Sequence, residues 1–130
     1  MTTTSQQILV IEDDEKIADL LTRQLEAEQF QVHAEHRGQS GLNYAATHRP
    51  NLVILDLRLP DLHGYEVCRG LRKLYDRSLM PILMLTAMDR PVDQLRGYAY
   101  GADAYLVKPY DSSELLQTVS RLLTDSTLLR

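Results

Sequence analysis

Polar residues of a few types follow four short apolar runs of this 130-residue chain. An acidic triplet ends the first of these runs, and one aspartate, one threonine and one lysine end the others. They are Glu12, Asp13 and Asp14 after ILVI, Asp56 after LVIL, Thr86 after ILML, and Lys108 after AYLV. If the runs are parallel strands in the spatial order 2-1-3-4-5, the carboxyl ends of the strands share one edge and these residues could converge there.

Three carboxylates meeting at that edge would require nearby positive charge. Like charges about 4 Å apart repel by roughly 4 kcal/mol per pair at an effective dielectric near 20. A hard divalent cation suits carboxylate oxygens, and Mg²⁺, or Mn²⁺ in its place, is held by one or two carboxylates together with waters and phosphate oxygens. Lys108 would add a mobile point charge, so the site could receive an incoming phosphoryl group.

The chemistry that these residues suggest is covalent transfer of a phosphoryl group to a carboxylate. Asp56 stands alone after its apolar run and is the natural nucleophile. Glu12 and Asp13 are adjacent and better suited to holding metal directly or through water. Thr86 offers a hydroxyl donor to a phosphoryl oxygen.

The elements that must position these residues are indicated by the spacing of apolar side chains. Short runs rich in branched residues predict five strands, and segments with helical spacing between and after them predict five helices. The predicted strands are Ile8 to Ile11, Phe30 to Ala34, Leu52 to Leu55, Ile82 to Leu85 and Ala104 to Val107. Strict alternation of strands and helices predicts a doubly wound α/β fold, a five-stranded parallel sheet of order 2-1-3-4-5 with helices on both faces, as in flavodoxin-like proteins.

Apolar spacing also predicts which side chains three of the helices bury. The third is expected to bury Val67, Leu71 and Leu74, and the fourth is expected to bury Val92, Leu95 and Ala99. The first is expected to bury an apolar stripe made of Ile17, Leu20, Leu21 and Leu25. Gly101 is expected to end the fourth helix with a positive φ.

Length and composition limit the number of domains, the kinds of partner and the cellular location that we expect. The length suits one domain, and the net charge of -4 with a pI near 5.5 argues against a dedicated nucleic-acid surface. Cys68 is the only cysteine and is expected to serve packing, and the N-terminus lacks the features of a signal peptide. No apolar run is long enough to span a bilayer. We therefore expect a cytoplasmic protein without membrane or direct nucleic-acid contact.

Four segments, ILVIEDDE, LVILDLRLPDLHGYE, PILMLTA and GADAYLVKPY, resemble the motifs of the CheY-like receiver domain of two-component response regulators. They occur in the right order and span nearly the whole chain. The resemblance implies that Glu12 and Asp13 are the acidic metal-binding pair and that Asp56 is the phosphoacceptor. It also implies that Thr86 is the switch hydroxyl and Lys108 the phosphate-binding lysine.

The same resemblance implies three further features. The backbone carbonyl of Arg58 would be a metal ligand together with Asp56, Tyr105 would turn inward when Thr86 moves toward the phosphoryl group, and the Lys108–Pro109 peptide bond would be cis. The phosphoryl donor would be a sensor histidine kinase or a phosphotransfer protein. Residues 1–124 would form the receiver domain, and residues 125–130 would end the last helix or begin a linker.

The chain is most similar to receivers of winged-helix regulators of the OmpR/PhoB type. Their active homodimers pair through the fourth helix, fifth strand and fifth helix by means of charged residues. Asp103 and Glu114 are present, whereas Ala104 stands where that subfamily often has a second acid, and Thr118 and Asp125 stand where basic partners are expected. The implied function is a phosphorylation-activated signalling receiver in a phosphorelay, with control of transcription as one possible output.

The sequence leaves other interpretations of the same residues open. Asp14 would commonly be a helix cap. A magnesium-dependent phosphatase would also use an aspartyl phosphate, but its nucleophile should follow the first strand. A flavodoxin-like nucleotide binder would need a phosphate-binding loop where this chain has three acids. A receiver that binds partners without phosphorylation would usually lack the acidic pair, Asp56 or Lys108.

Overall fold

A computed structural model describes the backbone of residues 5–129 and the side chains of residues 5–124. Strands and helices alternate strictly along this part of the chain. The strands are β1 (Gln7–Ile11), β2 (Gln31–Glu35), β3 (Leu52–Leu55), β4 (Ile82–Thr86) and β5 (Ala104–Val107). The helices are α1 (Glu15–Glu26), α2 (Gly38–His48), α3 (Gly64–Leu74), α4 (Pro91–Tyr100) and α5 (Ser112–Leu129).

The five strands form one parallel sheet in the order β2-β1-β3-β4-β5. β3 and β4 are buried along their whole length because helices cover both faces of the sheet. The predicted doubly wound fold and strand order are therefore confirmed. The order reverses between β1 and β3, which creates a crevice at the carboxyl ends of those strands.

Each face of the sheet carries its own hydrophobic core. On one face, residues of β1, β3 and β4 pack with α2 and α3, for example Ile11 with Ala45 and Val67. On the other face, α1 and α5 pack against the sheet through side chains such as Leu25 and Val119. Alternation along the strands therefore divides the buried apolar side chains between two layers of helices.

The predicted orientation of α4 is wrong. Val92 and Leu95 are 41% and 70% exposed, whereas Asp93 and Gly97 are buried. A Cβ atom on Gly97 would lie 2.9 Å from Met84 Sδ, so this helix packs too closely on β4 for a larger side chain. Asp93 tolerates burial because it accepts hydrogen bonds from the backbone and side chain of Arg90 in a capping box.

Two other predicted core positions also face outward. Leu20 of α1 is 52% exposed and Leu74 of α3 is 44% exposed, while Ala18 and Cys68 are buried on these helices. The buried stripes of α1 and α3 are therefore narrower than the sequence spacing indicates. α4 ends at Gly101 with φ of 119°, as expected from the sequence.

Arg72 joins three elements at the amino edge of the sheet, opposite the crevice. Its guanidinium donates to the carbonyls of Gly101 and Met80 and forms an ion pair with Asp103. Asp103 also accepts the backbone amide of Ile82 at 2.8 Å. Asp103, which the family resemblance assigned to a charged dimer face, is therefore occupied within the protomer.

Within residues 5–129, no helix is long and apolar enough to cross a membrane.

Candidate functional site

Backbone hydrogen bonds continue the sheet pairing beyond the strand ends and place three predicted site residues at the carboxyl edge. The amide of Asp56 donates to Ile11 O and that of Glu12 donates to Glu35 O, both at 3.0 Å. The amide of Lys108 donates to Thr86 O at 2.8 Å. These residues are therefore fixed by the sheet itself and not by flexible loops.

Lys108 holds two buried carboxylates together. Its Nζ lies 2.5 Å from Glu12 Oε1 and 2.8 Å from Asp56 Oδ2. Glu12 is 3% exposed and Asp56 is 7% exposed. The two acids that the sequence placed on different strands thus meet through one ammonium group.

The charges in this cluster perturb one another. Burial, supported by the charge of Asp56, raises the pKa of Glu12 although Lys108 opposes the change. Burial alone would lower the pKa of Lys108, but its hydrogen bonds to Asp56 and Glu12 outweigh burial and raise the pKa. Lys108 is therefore a permanent cation at neutral pH.

Both oxygens of Asp56 are oriented. Oδ2 accepts from Lys108, and Oδ1 accepts the backbone amide of Arg58 at 3.1 Å. Gly64 permits the tight turn after Asp56, because a Cβ atom there would lie 2.4 Å from Leu57 Cα. The turn keeps the start of α3 directly against the backbone of the phosphoacceptor candidate.

The other two acids of the first strand's triplet have different surroundings. Asp14 is the N-cap of α1 and accepts the amides of Lys16 and Ile17, so the capping interpretation is confirmed. Asp13 is exposed in the turn before α1. Among the described side chains, no group of three or more histidine, cysteine or acidic residues is close enough to hold a metal.

The donor types at this edge nevertheless fit a hard divalent cation. Glu12 and Asp56 supply carboxylate oxygens, Asp13 follows Glu12 directly, and the Arg58 backbone belongs to the same turn. Lys108 offsets only one of the two negative charges of the buried carboxylates, so negative charge remains that a divalent cation could neutralise.

Thr86 and Tyr105 lie on the neighbouring strands β4 and β5, two positions apart in the register, and both contact the β4–α4 loop. Thr86 is fully buried and its Oγ1 accepts the amide of Met88 at 3.3 Å. Tyr105 is 9% exposed and its hydroxyl donates to Met88 O at 2.8 Å. The tyrosine ring faces inward against α4, where a Cβ atom on Gly97 would come within 3.0 Å of Cδ2.

The remaining residue predicted from the resemblance is Pro109, and the Lys108–Pro109 peptide bond is cis. Sequence reasoning missed Gly97, the residue through which α4 approaches Met84 and Tyr105, and Tyr65, which contacts α4 from α3. Gly97 carried a signal, because a glycine inside a helix often marks a close approach, and Tyr65 carried none.

Comparison with known proteins decides which family this site belongs to. The family model described as the response regulator receiver domain matches residues 8–120. The chain is a receiver domain of the response regulator family.

Individual relatives agree with this assignment. Response regulator ArlR of Staphylococcus aureus is 41% identical over 117 residues, which cover 90% of this chain and 52% of ArlR. The receiver thus spans about half the length of the curated relatives it matches. A CheY-like receiver domain protein of Methanospirillum hungatei has a TM-score of 0.90 at 28% identity, covering 95% of this chain and 98% of its own.

A second solved structure is the BeF3-activated N-terminal receiver domain of Klebsiella pneumoniae RstA. Its TM-score is 0.86 at 30% identity, and the match covers 91% of this chain and 98% of that one. The family assignment makes this receiver part of two-component phosphorelay signalling and sets aside the small-molecule phosphatase and the nucleotide binder. Response regulators receive phosphate from sensor histidine kinases.

One rim of the receiver's crevice is apolar. A groove of about 410 Å³ next to Lys108 is lined by residues of α1 and of the loop after β5. These include Ile17, Leu20, Pro109 and Tyr110, and Leu20 is the exposed residue that the sequence assigned to the core.

Proposed function

We propose that this receiver accepts a phosphoryl group on Asp56 from a phosphohistidine in a sensor histidine kinase or a phosphotransfer protein. The observation that carries the proposal is the contact of one ammonium, Lys108 Nζ, with both Glu12 and Asp56 at the carboxyl edge of the sheet. A receiver that binds partners without phosphorylation would usually lack the acidic pair, Asp56 or Lys108, and this chain has all of them.

The proposed step is an in-line displacement. An oxygen of Asp56 forms a bond to phosphorus while the bond between phosphorus and the donor's imidazole nitrogen breaks, and that nitrogen keeps the bonding electron pair. Lys108 remains beside the carboxylate and stabilises the negative charge on the transferred group. Later attack by water releases inorganic phosphate and restores the Asp56 carboxylate.

Mg²⁺, or Mn²⁺, would be held by Glu12, Asp13, Asp56 and the Arg58 carbonyl, and would supply charge neutralisation for the phosphoryl oxygens. Glu12 has a second role, since its ion pair keeps Lys108 at the site. Beyond this self-modification and its reversal, we propose no enzymatic activity.

The donor would dock on the apolar rim beside Lys108. Exposed Leu20 and the loop residues Pro109 and Tyr110 provide a surface from which a histidine could reach Asp56. This arrangement places the protein–protein contact next to the reacting carboxylate, as transfer between two side chains requires. The encounter would take place in the cytoplasm.

Phosphorylation would then bias a pre-existing equilibrium of the β4–α4 region through Thr86 and Tyr105. The surface that changes would be the outward face of α4, where Val92, Leu95 and Tyr98 are exposed.

Two receivers could pair through α4, β5 and α5. The exposed side chains of α4 would then contribute more to the contact than the charged residues that the related subfamily uses. Control of transcription by a winged-helix effector is the proposed output.

Intact-mass measurement after incubation with acetyl phosphate or phosphoramidate, with and without Mg²⁺, tests the proposal. We expect a Mg²⁺-dependent gain of one phosphoryl group in the wild type and in Asp61→Asn, and no gain in Asp56→Asn. Asp61 is a suitable control because it lies in the same loop, where its two carboxylate oxygens accept the α2 amides of Gly38 and Gln39, and asparagine keeps one acceptor oxygen for one of these amides. Labelling of Asp56→Asn at the wild-type level would refute the assignment.

A wild type that gains no mass is examined with beryllium fluoride, which distinguishes rapid hydrolysis from failure to bind a phosphoryl group. Binding of beryllium fluoride with Mg²⁺ by the wild type and not by Asp56→Asn would support the site. No binding by either protein would favour an interaction module that works without phosphorylation.

A further inference from the structure

Two tyrosine hydroxyls hold the region where α4 begins, one from each side. Tyr105 on β5 donates to Met88 O at 2.8 Å, just before the helix. Tyr65 on α3 donates to Asp93 O at 2.9 Å, within the first turn of the helix. Only the first of these contacts involves a residue to which the proposed switch assigns a role.

The ring of Tyr65 also reaches the other end of α4. It stacks on the ring of Tyr100 with centroids 5.1 Å apart and an interplanar angle of 14°. The guanidinium of Arg69, also on α3, lies 5.6 Å from the centroid of the Tyr100 ring. One side chain of α3 therefore touches both the first and the last turn of α4.

These contacts matter more for α4 than they would for an ordinary helix. Its larger apolar side chains point outward, and the inward positions are Asp93 and Gly97. A helix that buries so little apolar surface of its own gains little from the hydrophobic core. Its position therefore depends strongly on neighbouring side chains that contact it, and Tyr65 is one of these, with only 8% of its surface exposed.

Tyr65 also contacts the phosphoacceptor turn, by which we mean residues 57–63 between Asp56 and α3. Its ring stacks on His63 at 4.7 Å, and its amide donates to His63 Nδ1 in the cap of α3. His63 forms an isolated backbone bridge with Arg58, whose amide donates to Asp56 Oδ1. A continuous series of contacts thus leads from the Asp56 carboxylate to both ends of α4 without passing through Thr86.

We propose that Tyr65 is a positioning residue that couples the phosphoacceptor turn to α4, as a second connection parallel to that of Thr86 and Tyr105. The coupling to phosphorylation rests on the function proposed above, whereas the attachment of α4 by Tyr65 does not. A change in how Asp56 holds the Arg58 amide would shift the turn, and Tyr65 would carry that shift to the helix.

The test compares Tyr65→Phe with Tyr75→Phe by hydrogen–deuterium exchange of the whole chain. Each substitution deletes one tyrosine hydroxyl that donates to a backbone carbonyl, since Tyr75 donates to Ala45 O at 2.7 Å. Only Tyr65 contacts α4. We expect the amides of α4 to exchange roughly two- to tenfold faster in Tyr65→Phe than in wild type, and no faster in Tyr75→Phe, because one buried hydrogen bond is lost.

A second arm adds beryllium fluoride and Mg²⁺ and measures the resulting change in α4 exchange. We expect this change to be at least halved in Tyr65→Phe and retained in Tyr75→Phe, while both variants gain a phosphoryl group to the wild-type extent in intact-mass measurements. A full wild-type response in Tyr65→Phe would overturn the coupling, and wild-type α4 exchange in the untreated variant would overturn the attachment.

The two proposals fail in different ways. If the wild type takes no phosphoryl group and shows no response to beryllium fluoride, the proposed function fails and the coupling fails with it. The comparison of untreated Tyr65→Phe with untreated Tyr75→Phe still decides whether Tyr65 holds α4.

Discussion

Lys108→Met removes the only cation that contacts the buried pair Glu12 and Asp56 in the described structure. Methionine keeps most of the apolar stem of the lysine, so the substitution tests charge more than packing. Both carboxylates stay fixed by the sheet, and Asp56 also stays bound to the Arg58 amide. In the absence of divalent metal, the folded state must then carry two adjacent negative charges with little water around them.

The size of the effect can be worked out from the geometry. Two like charges about 5 Å apart repel by about 3 kcal/mol at an effective dielectric near 20. Removing one partner of a buried ion pair costs about 3 to 5 kcal/mol, and the 16% exposure of the Lys108 side chain argues for the lower end. Protonation of Glu12, whose pKa is already raised, relieves part of the repulsion. We therefore expect a loss of about 2 to 3 kcal/mol in the free energy of unfolding at pH 7.

Urea unfolding followed by circular dichroism in EDTA measures this loss as a lower midpoint at unchanged slope. Lys73→Met is the control, because Lys73 is exposed on α3 and should change stability by less than about 0.5 kcal/mol. Adding Asp56→Asn to Lys108→Met should restore much of the stability, and Mg²⁺ should do so in the single variant. Equal stability of Lys108→Met and Lys73→Met, or no gain from the added Asp56→Asn, would refute the electrostatic reasoning.

Three other features lead to testable outcomes. Gly64→Ala should destabilise the fold by about 1 to 3 kcal/mol and slow phosphoryl uptake, because the new Cβ atom would meet the Leu57 backbone. In Gly70→Ala the Cβ atom meets only the flexible Leu42 side chain, so the midpoint of urea unfolding should stay close to that of the wild type. Burial raises the pKa of Cys68 to about 11, so a thiol reagent at pH 8 should react at least about a hundredfold more slowly with the folded than with the unfolded protein. The stability that the protonated thiol contributes is complete below the pKa of the unfolded state and is lost as the pH rises toward 11. Fast modification of the folded protein would contradict the burial of Cys68. Leu95→Asp should leave the urea midpoint nearly unchanged but reduce self-association with beryllium fluoride in sedimentation, and undiminished association would exclude this face of α4 as the contact.

The sheet and its functional edge could be predicted because they depend on local rules. Apolar runs at regular spacing give a parallel sheet, and polar residues directly after those runs must lie at its carboxyl edge. Glu12, Asp56 and Lys108 meet there as expected. Asp14 also follows a local rule, since an aspartate before a helical segment caps it.

The outward face of α4 could not be predicted, because the apolar spacing of Val92, Leu95 and Ala99 is that of a buried stripe. What decides the orientation is non-local: Gly97 fits against Met84 and Tyr105, and both of those residues come from strands. The engagement of Asp103 with Arg72 is hidden for the same reason, since 31 residues separate the partners. Helical periodicity reports which side chains are apolar and cannot report how closely a helix must approach its neighbours.

The contacts of Arg72 make the amino edge of the sheet more firmly held than the carboxyl edge. At the amino edge, a single guanidinium joins the carbonyls of Gly101 and Met80 to the Asp103 carboxylate, so the end of α4 and the beginnings of β4 and β5 are fastened to α3. At the carboxyl edge, the start of α4 is held by two single hydrogen bonds, from Tyr105 to Met88 O and from Tyr65 to Asp93 O. Small displacements at the carboxyl edge would therefore move the first turn of α4 more than its last turn, because Arg72 holds Gly101 in place.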